Sequence, residues 1–468
     1  MQRPVKTMAK RARRDKQQVN YNENVEETIA HAISERLLEK LKRIPDADFP
    51  IVTGEQMTSD FLRRHGWSQP VLVPAAHRDG LNMVMPTVDL EQDAKTRWSK
   101  VCKMILDGVG PETAATPFNV STQSETQSFT LKQWVEYLLT PPALRQKLMN
   151  LISLEISGTT LGDAVERPNI VRDFDWIDYF WPPEADVKDA SMGMPWPKVQ
   201  LYCLMSPTQS YTDWHVDFGG SSVFYHILTG EKTFLFAPPT LANMKAYEQW
   251  ANSPVQSTTF FGDLVSTKHK ITIRGGDTLF IPSGWIHAVL TTEDSVVIGG
   301  NLIHTLGIQT QIKVYEMEVR TGVDPRFRFP WWERLHWYAA HWYALQAAQP
   351  TYLHGLTNLE IDNLHALANF LIRRLDLFAS EKAGTKAATG ANGHAVDATA
   401  GGKDGAAQSK GGRRGKYQKI TLKEEVSLVG QSIPPEFGKM EVARNVALTL
   451  RHLTAKEQVR RDPAREAR

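Results

Sequence analysis

The stretch whose reading decides the fold is Thr212-Asp213-Trp214-His215-Val216-Asp217, answered downstream by Ile281-Pro282-Ser283-Gly284-Trp285-Ile286-His287. Residues i and i+2 of a strand face the same side. If Tyr211 to Phe218 is extended, His215 and Asp217 therefore converge on one point. His287 follows a further strand, Asp277 to Ile281, across a Pro-Ser-Gly turn that aims it toward a barrel mouth. Two imidazoles and one carboxylate leave three octahedral positions open, the ligand set of non-haem Fe(II) oxygenases. A His-x-Asp pair alone is a common coincidence among 14 His and 52 acidic residues. The neighbouring sequence has to carry the rest.

That neighbourhood is β-rich. Ser222 to Leu228 and Lys232 to Ala237 are β-branched and aromatic runs, with Thr229-Gly230-Glu231 reading as a short turn between two strands. Val199 to Met205, His269 to Ile273, Asp277 to Ile281 and Ser295 to Gly299 read as further short strands. Regular short strands predict a closed barrel or sandwich, whose mouth is a usual ligand site. An oxygenase of this kind uses 2-oxoglutarate as the reductant for O2, and the far carboxylate of that cosubstrate needs a cation or hydroxyl partners. Lys232 and Thr212 suit that clamp, and Tyr225 on the intervening strand offers a further hydroxyl. The competing reading of Lys232 is a turn lysine facing solvent.

Composition sets the outer limits. A chain of 468 residues with 41% apolar content and 13 Trp holds one large domain or two to three smaller ones. A net charge of +2 gives no global attraction for nucleic acid. The charge is local. Arg3, Lys6, Lys10, Arg11, Arg13, Arg14 and Lys16 crowd the N-terminus, reading as a nuclear-import signal or DNA-touching arm, with a solvated tail as the alternative. Two cysteines, Cys102 and Cys203, build neither a disulfide framework nor a thiolate zinc module. No segment reaches the roughly 18 apolar residues of a membrane span, and the N-terminus lacks an apolar signal core, so no membrane association is expected.

The expected organisation is a basic disordered tail over 1–20, a mixed helical region over 21–147, the barrel over 148–322 and helices over 323–379. A disordered Gly/Ala/Lys-rich insert follows over 380–416, then a helical segment and charged tail over 417–468. Glu26 to Ile44 has helical periodicity, Pro111 to Gln127 reads as polar loop, and Leu131 to Leu139 reads as a helix ended by Pro141-Pro142. Trp331, Leu335, Tyr338, Trp342 and Leu345 mark one buried helix face, and Asn358 to Leu377 a second amphipathic helix.

Three segments add a resemblance: Tyr211 to Gly220, Phe280 to Val289 and Gly299 to His304. They resemble the JmjC-domain histone lysine demethylases, of the JmjC domain-containing histone demethylation protein 1 type that acts on lysine 36 of histone H3. Asn150 to Ser157, Pro168 to Ile177 and Pro197 to Met205 extend the likeness, which runs from about Phe49 to about Tyr343. The resemblance implies an α+β fold, a double-stranded β-helix of jelly-roll or cupin type flanked by N- and C-terminal helices. It implies His215, Asp217 and His287 as iron ligands and catalytic centre, Thr212 and Lys232 as 2-oxoglutarate contacts, Tyr225 and Asn150 beside the cosubstrate, and Asn301 in the substrate pocket. The implied cofactors are Fe(II), 2-oxoglutarate and O2, with ascorbate as reductant in vitro. The implied reaction removes methyl groups from mono- or dimethyl-lysine 36 with release of formaldehyde, succinate and CO2. The implied partner is the histone H3 tail or nucleosome, and the implied location the nucleus. Many relatives carry a cysteine-rich zinc reader beside the catalytic domain, and two cysteines exclude one here. A protein hydroxylase on the same barrel and a non-catalytic chromatin scaffold are the rival readings.

Overall fold

Apolar side chains occupy both faces of Ser222–Ala237 and Ile286–Leu302, and each segment forms one continuous strand, of 16 and 17 residues. These are β9 and β12 of the computed structural model, which describes residues 35–182, 196–390 and 429–464. The other strands are β1 (Val71–Val73), β2 (Ala114–Ala115), β3 (Phe118–Asn119), β4 (Ser124–Glu125), β5 (Phe129–Thr130), β6 (Met149–Glu155), β7 (Tyr202–Ser206), β8 (Tyr211–His215), β10 (His269–Arg274) and β11 (Thr278–Ile281). The helices of the N-terminal half are α1 (Glu35–Lys42), α2 (Ser59–His65), α3 (Ala94–Val109), α4 (Leu131–Leu139), α5 (Thr160–Asp163), α6 (Asn169–Phe174) and α7 (Trp176–Phe180). Later come α8 (Leu241–Ala251), α9 (Ile308–Thr321), α10 (Trp332–Ala347), α11 (Pro350–His354), α12 (Asn358–Gly390) and α13 (Met440–Arg461).

β9 and β12 pair antiparallel along their lengths and change outer partners half-way. Val223 to His226 of β9 pair with β11, whereas Glu231 to Phe236 pair with β10. On β12, His287 to Leu290 face β8 and Ser295 to Gly299 face β7. Two sheets thus share two strands. One runs β1-β11-β9-β12-β7-β6-β3-β4 and the other β10-β9-β12-β8, the double-stranded β-helix the resemblance implies.

The passage between sheets centres on Gly230. Its φ is +88°, and a Cβ there would lie 2.2 Å from the Asp294 carbonyl oxygen, so only glycine fits. Opposite it, the β12 register shifts between Thr291, Glu293 and Val296, bulges that bend and twist the ribbon. Thr229-Gly230-Glu231 is therefore a sheet-crossing bend rather than the expected hairpin turn. His287 likewise sits on β12 itself, one residue in, rather than on the preceding turn.

Within each half of β9 the two-residue period sorts side chains between cores, and its parity changes across Gly230. Val223, Tyr225, Ile227, Phe234 and Phe236 point between the sheets, against Leu279, Ile281, Val289 and Val297. The alternate residues point outward under helices. Leu235 and Ala237 lie beneath Leu37, Leu41 and Trp250 of α1 and α8. Leu228 joins Val296 and Ile298 beneath Trp98 and Trp134 of α3 and α4. Phe224 meets Leu62 and Ile170 of α2 and α6. α4 begins at a reciprocal capping box between Thr130 and Gln133, which contributes about 1 kcal/mol. α9, α10, α12 and α13 close over a separate core containing Ile312, Leu335, Trp337, Leu364, Leu371 and Leu450.

Several expectations are corrected. Trp331 is the residue before α10, in a left-handed conformation. Trp342 and Leu345 are 38% and 59% exposed, so the buried face of α10 turns through Leu335, Trp337 and Tyr338 instead. Pro111 to Gln127 carries the short strands β2 to β4. α12 continues to Gly390, through the first eleven residues of the segment read as disordered from 380, because Ala, Lys and Glu are good helix formers. The rest of that segment and the basic tail over 1–20 lie outside the described residues. Cys102 and Cys203 are free thiols in one apolar cluster. Among the described residues, no helix is long and apolar enough to cross a membrane.

Candidate metal centre and its cavity

β8 and β12 place His215 and His287 directly opposite each other in the ladder, which is why the two rings meet, centroids 4.2 Å apart. β8 ends at His215, but Asp217 keeps extended backbone angles, φ −60° and ψ 139°. The i, i+2 rule therefore holds just past the strand end. The His287 Nε2 lies 3.9 Å from Asp217 Oδ2. One ligand atom from each of the three residues lies within 4.8 Å of the others.

The imidazoles are oriented by the backbone. His215 Nδ1 is 2.9 Å from the Asp213 carbonyl oxygen, and His287 Nδ1 is 3.0 Å from that of Trp285. A carbonyl only accepts, so both Nδ1 atoms carry the proton and both Nε2 lone pairs are left for a third party. Burial, and then the neighbouring His215, holds His287 well below its ordinary range, so it stays neutral. Burial raises the Asp217 carboxyl, while His215 and a hydrogen bond from Asn301 oppose that rise. Two imidazole nitrogens and a carboxylate form a donor set that fits a divalent first-row ion such as Fe(II).

One cavity of about 1180 Å³ is lined by all eight candidate residues: Asn150, Thr212, His215, Asp217, Tyr225, Lys232, His287 and Asn301. Lys232 enters it because it shares the inward face of β9 with Phe234 and Phe236. It is 2% exposed, not a solvent-facing turn lysine. Its Nζ donates to Ser206 Oγ at 2.9 Å and Thr291 Oγ1 at 2.8 Å. No carboxylate pairs with it among the described residues, and burial pulls its ammonium down to about 7. Asn150 Nδ2 donates to Thr212 Oγ1 at 3.3 Å, while Asn150 Oδ1 is buried without a hydrogen-bond partner among the described residues. Burial, and then the Asp217 carboxylate, pushes the Tyr225 phenol above its usual range. Asn301 Nδ2 donates to Ser221 Oγ at 2.9 Å.

Ser206 and Thr291, the buried hydroxyls that accept from Lys232, are residues that sequence reading missed. Thr291 had a usable signal, since it is the cross-strand partner of Lys232 once β9 and β12 are aligned. Ser206 had none.

Residues 202–302, from β7 to the end of β12, match the family model described as JmjC domain, hydroxylase. The chain carries a JmjC domain. Behind it, residues 306–348, which include all of α9 and α10, match the Jumonji helical domain. Curated relatives extend the likeness beyond the JmjC domain. The chain is 38% identical over 350 residues to mouse lysine-specific demethylase 2B, covering 72% of this chain and 26% of that protein. It is 38% identical over 327 residues to JmjC domain-containing histone demethylation protein 1 of Yarrowia lipolytica, covering 69% of this chain and 60% of that protein. To human lysine-specific demethylase 7A it is 39% identical over 298 residues, 63% of this chain and 29% of that protein. The chain thus spans less than two thirds of the length of each of these relatives.

Proposed function

We propose that this chain is an Fe(II)- and 2-oxoglutarate-dependent histone lysine demethylase. Lys232 carries the reading: an ammonium buried in the triad's cavity, held by hydroxyls and lacking an acidic partner among the described residues. A buried cation without a counter-ion is costly. A dianion that reaches from the metal to Lys232 offsets that cost and explains why the residue is there.

His215, Asp217 and His287 would hold the iron through two Nε2 atoms and a carboxylate oxygen. Bound together, Fe(II), 2-oxoglutarate and O2 supply the oxidation of an N-methyl group, with succinate, CO2 and formaldehyde as products. The rest falls to the chain's own side chains. Lys232, with Ser206 and Thr291 behind it, anchors the far carboxylate. Thr212 and Tyr225 add hydroxyls along its length, and Asn150 fixes the Thr212 rotamer. Asn301 holds the Asp217 carboxylate. Phe234, Val289 and Leu204 give the cavity an apolar lining, which excludes water and orients one methyl carbon.

The finer parts of the proposal are mono- and dimethyl-lysine 36 of the histone H3 tail as substrate, the nucleosome as partner, DNA contact through the basic tail, and a nuclear location. They rest on the resemblance of the quoted motifs to the demethylation protein 1 type. Relatives named for histone demethylation support histone as the substrate class. Mass spectrometry of H3 peptides dimethylated at lysine 36 tests the proposal, with Fe(II), ascorbate and 2-oxoglutarate present. Loss of one methylene mass from that peptide, and not from peptides dimethylated at other H3 lysines, is expected. Gain of one oxygen mass would mean a protein hydroxylase, and no turnover of 2-oxoglutarate would mean a scaffold.

A further inference from the structure

Asp217 is followed by a tight turn, Phe218-Gly219-Gly220, whose central residue is gripped on both of its peptide groups from outside the barrel. The Gly219 N–H donates to Glu318 Oε1 of α9 at 2.8 Å. The Gly219 carbonyl accepts from the indole Nε1 of Trp332, on α10, at 2.9 Å. The fit is close on both sides. Gly219 has φ +60°, and a Cβ there would lie 2.5 Å from Trp332 Cδ1. Trp332 is itself fixed, stacked between Tyr315 at 4.2 Å and His336 at 3.6 Å.

Glu318 is an odd choice for a purely architectural contact. It is 6% exposed. Its Oε2 is buried without a hydrogen-bond partner among the described residues. Burial pushes its carboxyl up to about 8, so near neutral pH it serves as a neutral acceptor for one backbone N–H. An apolar residue would pack there at lower cost. What Glu318 alone supplies is the position of the peptide two residues after a metal ligand.

We infer that Glu318 is a positioning residue for Asp217, and that the helices behind the JmjC domain set the third corner of the metal centre through the two-sided grip on Gly219. His215 and His287 are registered by the β8–β12 ladder. Asp217 lies past the end of β8 and has no such ladder, so its backbone is set by α9 and α10 while Asn301 meets its carboxylate. This inference rests on the metal-centre reading above.

The test is a titration of the full chain with Mn(II), an O2-inert stand-in for Fe(II), in wild type, Glu318→Leu, Glu318→Gln, Trp332→Phe and His215→Ala, with a melting temperature for each. Glu318→Leu keeps the bulk and removes the acceptor. It is expected to weaken Mn(II) binding roughly 10- to 100-fold, the usual consequence of losing an outer-shell partner of a metal ligand, with no matching fall in melting temperature. Glu318→Gln restores a neutral acceptor and is expected to bind nearly as wild type does. Trp332→Phe, which keeps an aromatic ring and deletes the Nε1 donor together with the five-membered ring of the indole, is expected to fall between them once any fall in melting temperature is compared, and it carries the test if Glu318→Leu does not fold. Wild-type affinity in both Glu318→Leu and Trp332→Phe would overturn the inference. So would Glu318→Gln as weak as Glu318→Leu, or losses that simply track melting temperature. If wild type binds no better than His215→Ala, the metal-centre reading itself has failed.

Discussion

Replacing Lys232 with methionine separates what the residue costs the fold from what it gives the site. Methionine keeps the length and removes the charge. Burial moves the Lys232 ammonium from 10.5 to about 7. At about 1.4 kcal/mol per pKa unit, carrying that charge at pH 7 destabilises the fold by on the order of 4 kcal/mol. Ser206 and Thr291 lose their donor in the variant, roughly 1 kcal/mol each. In assays without 2-oxoglutarate, Lys232→Met is therefore about 2 kcal/mol more stable than wild type at pH 7 by urea unfolding. The sign with pH follows from proton counting. The folded pKa is lowered, so between pH 7 and 10.5 the unfolded chain binds more protons. Wild-type stability then rises with pH through that window, and the advantage of the variant disappears by its upper end. Binding moves the opposite way. Removing the cation from a buried carboxylate contact costs about 3 kcal/mol, a roughly 100-fold weaker 2-oxoglutarate affinity, while metal binding is retained. Calorimetric titration of 2-oxoglutarate into Mn(II)-loaded protein measures it. A variant that is less stable than wild type yet binds 2-oxoglutarate equally well would refute both the buried charge and its role.

Three further outcomes are expected. Asp217→Ala loses metal binding and turnover without loss of folding, since it removes a carboxyl whose burial opposes its charge; formaldehyde release at the wild-type rate would remove Asp217 from the centre. Gly230→Ala, which forces a Cβ into the Asp294 carbonyl at φ +88°, destabilises the fold by about 2 kcal/mol or more, and an unchanged urea midpoint would deny the sheet-crossing bend. His226, His304 and His336 are held by burial at about 4, 3 and 3. The unfolded chain therefore takes up more protons below about 6.5, and stability falls from pH 7.5 to 5.5 by on the order of 4 kcal/mol. A flat urea midpoint over that range would contradict their burial in neutral form.

Much of the centre was legible because it obeys local geometry. His215 and Asp217 share a face by strand periodicity, and that survives the end of β8 because Asp217 stays extended. Val223, Tyr225 and Ile227 alternate inward before Gly230, and Lys232, Phe234 and Phe236 after it, but the odd seven-residue step from Tyr225 to Lys232 breaks the period, so their shared face could not be read from spacing. What failed was the punctuation. A glycine between two apolar runs signals a hairpin in a single sequence, whereas Gly230 marks a crossing whose cause, the approach of Asp294, is 64 residues away in the chain. Lys232 beside that glycine inherited the wrong environment, a solvated turn, until the second sheet was in place. Ser206 lies in an ordinary strand sequence, and Glu318 looks like any acid on an amphipathic helix. Their roles follow from contacts across the fold, with Lys232 and Gly219, that no spacing announces. Trp342 and Leu345 show the converse. Periodicity placed them on the buried face of α10, but packing on α7 and α13 takes a different stripe.

His215, Asp217, His287 and Lys232 are proposed to run oxidative N-demethylation together. The most direct measurement is the yield of succinate and formaldehyde from one reaction on a dimethylated H3 peptide, in wild type and His215→Ala. Equal amounts of both products in wild type, and neither in the variant, are predicted. Succinate without formaldehyde in wild type, or formaldehyde from the variant, would contradict the account.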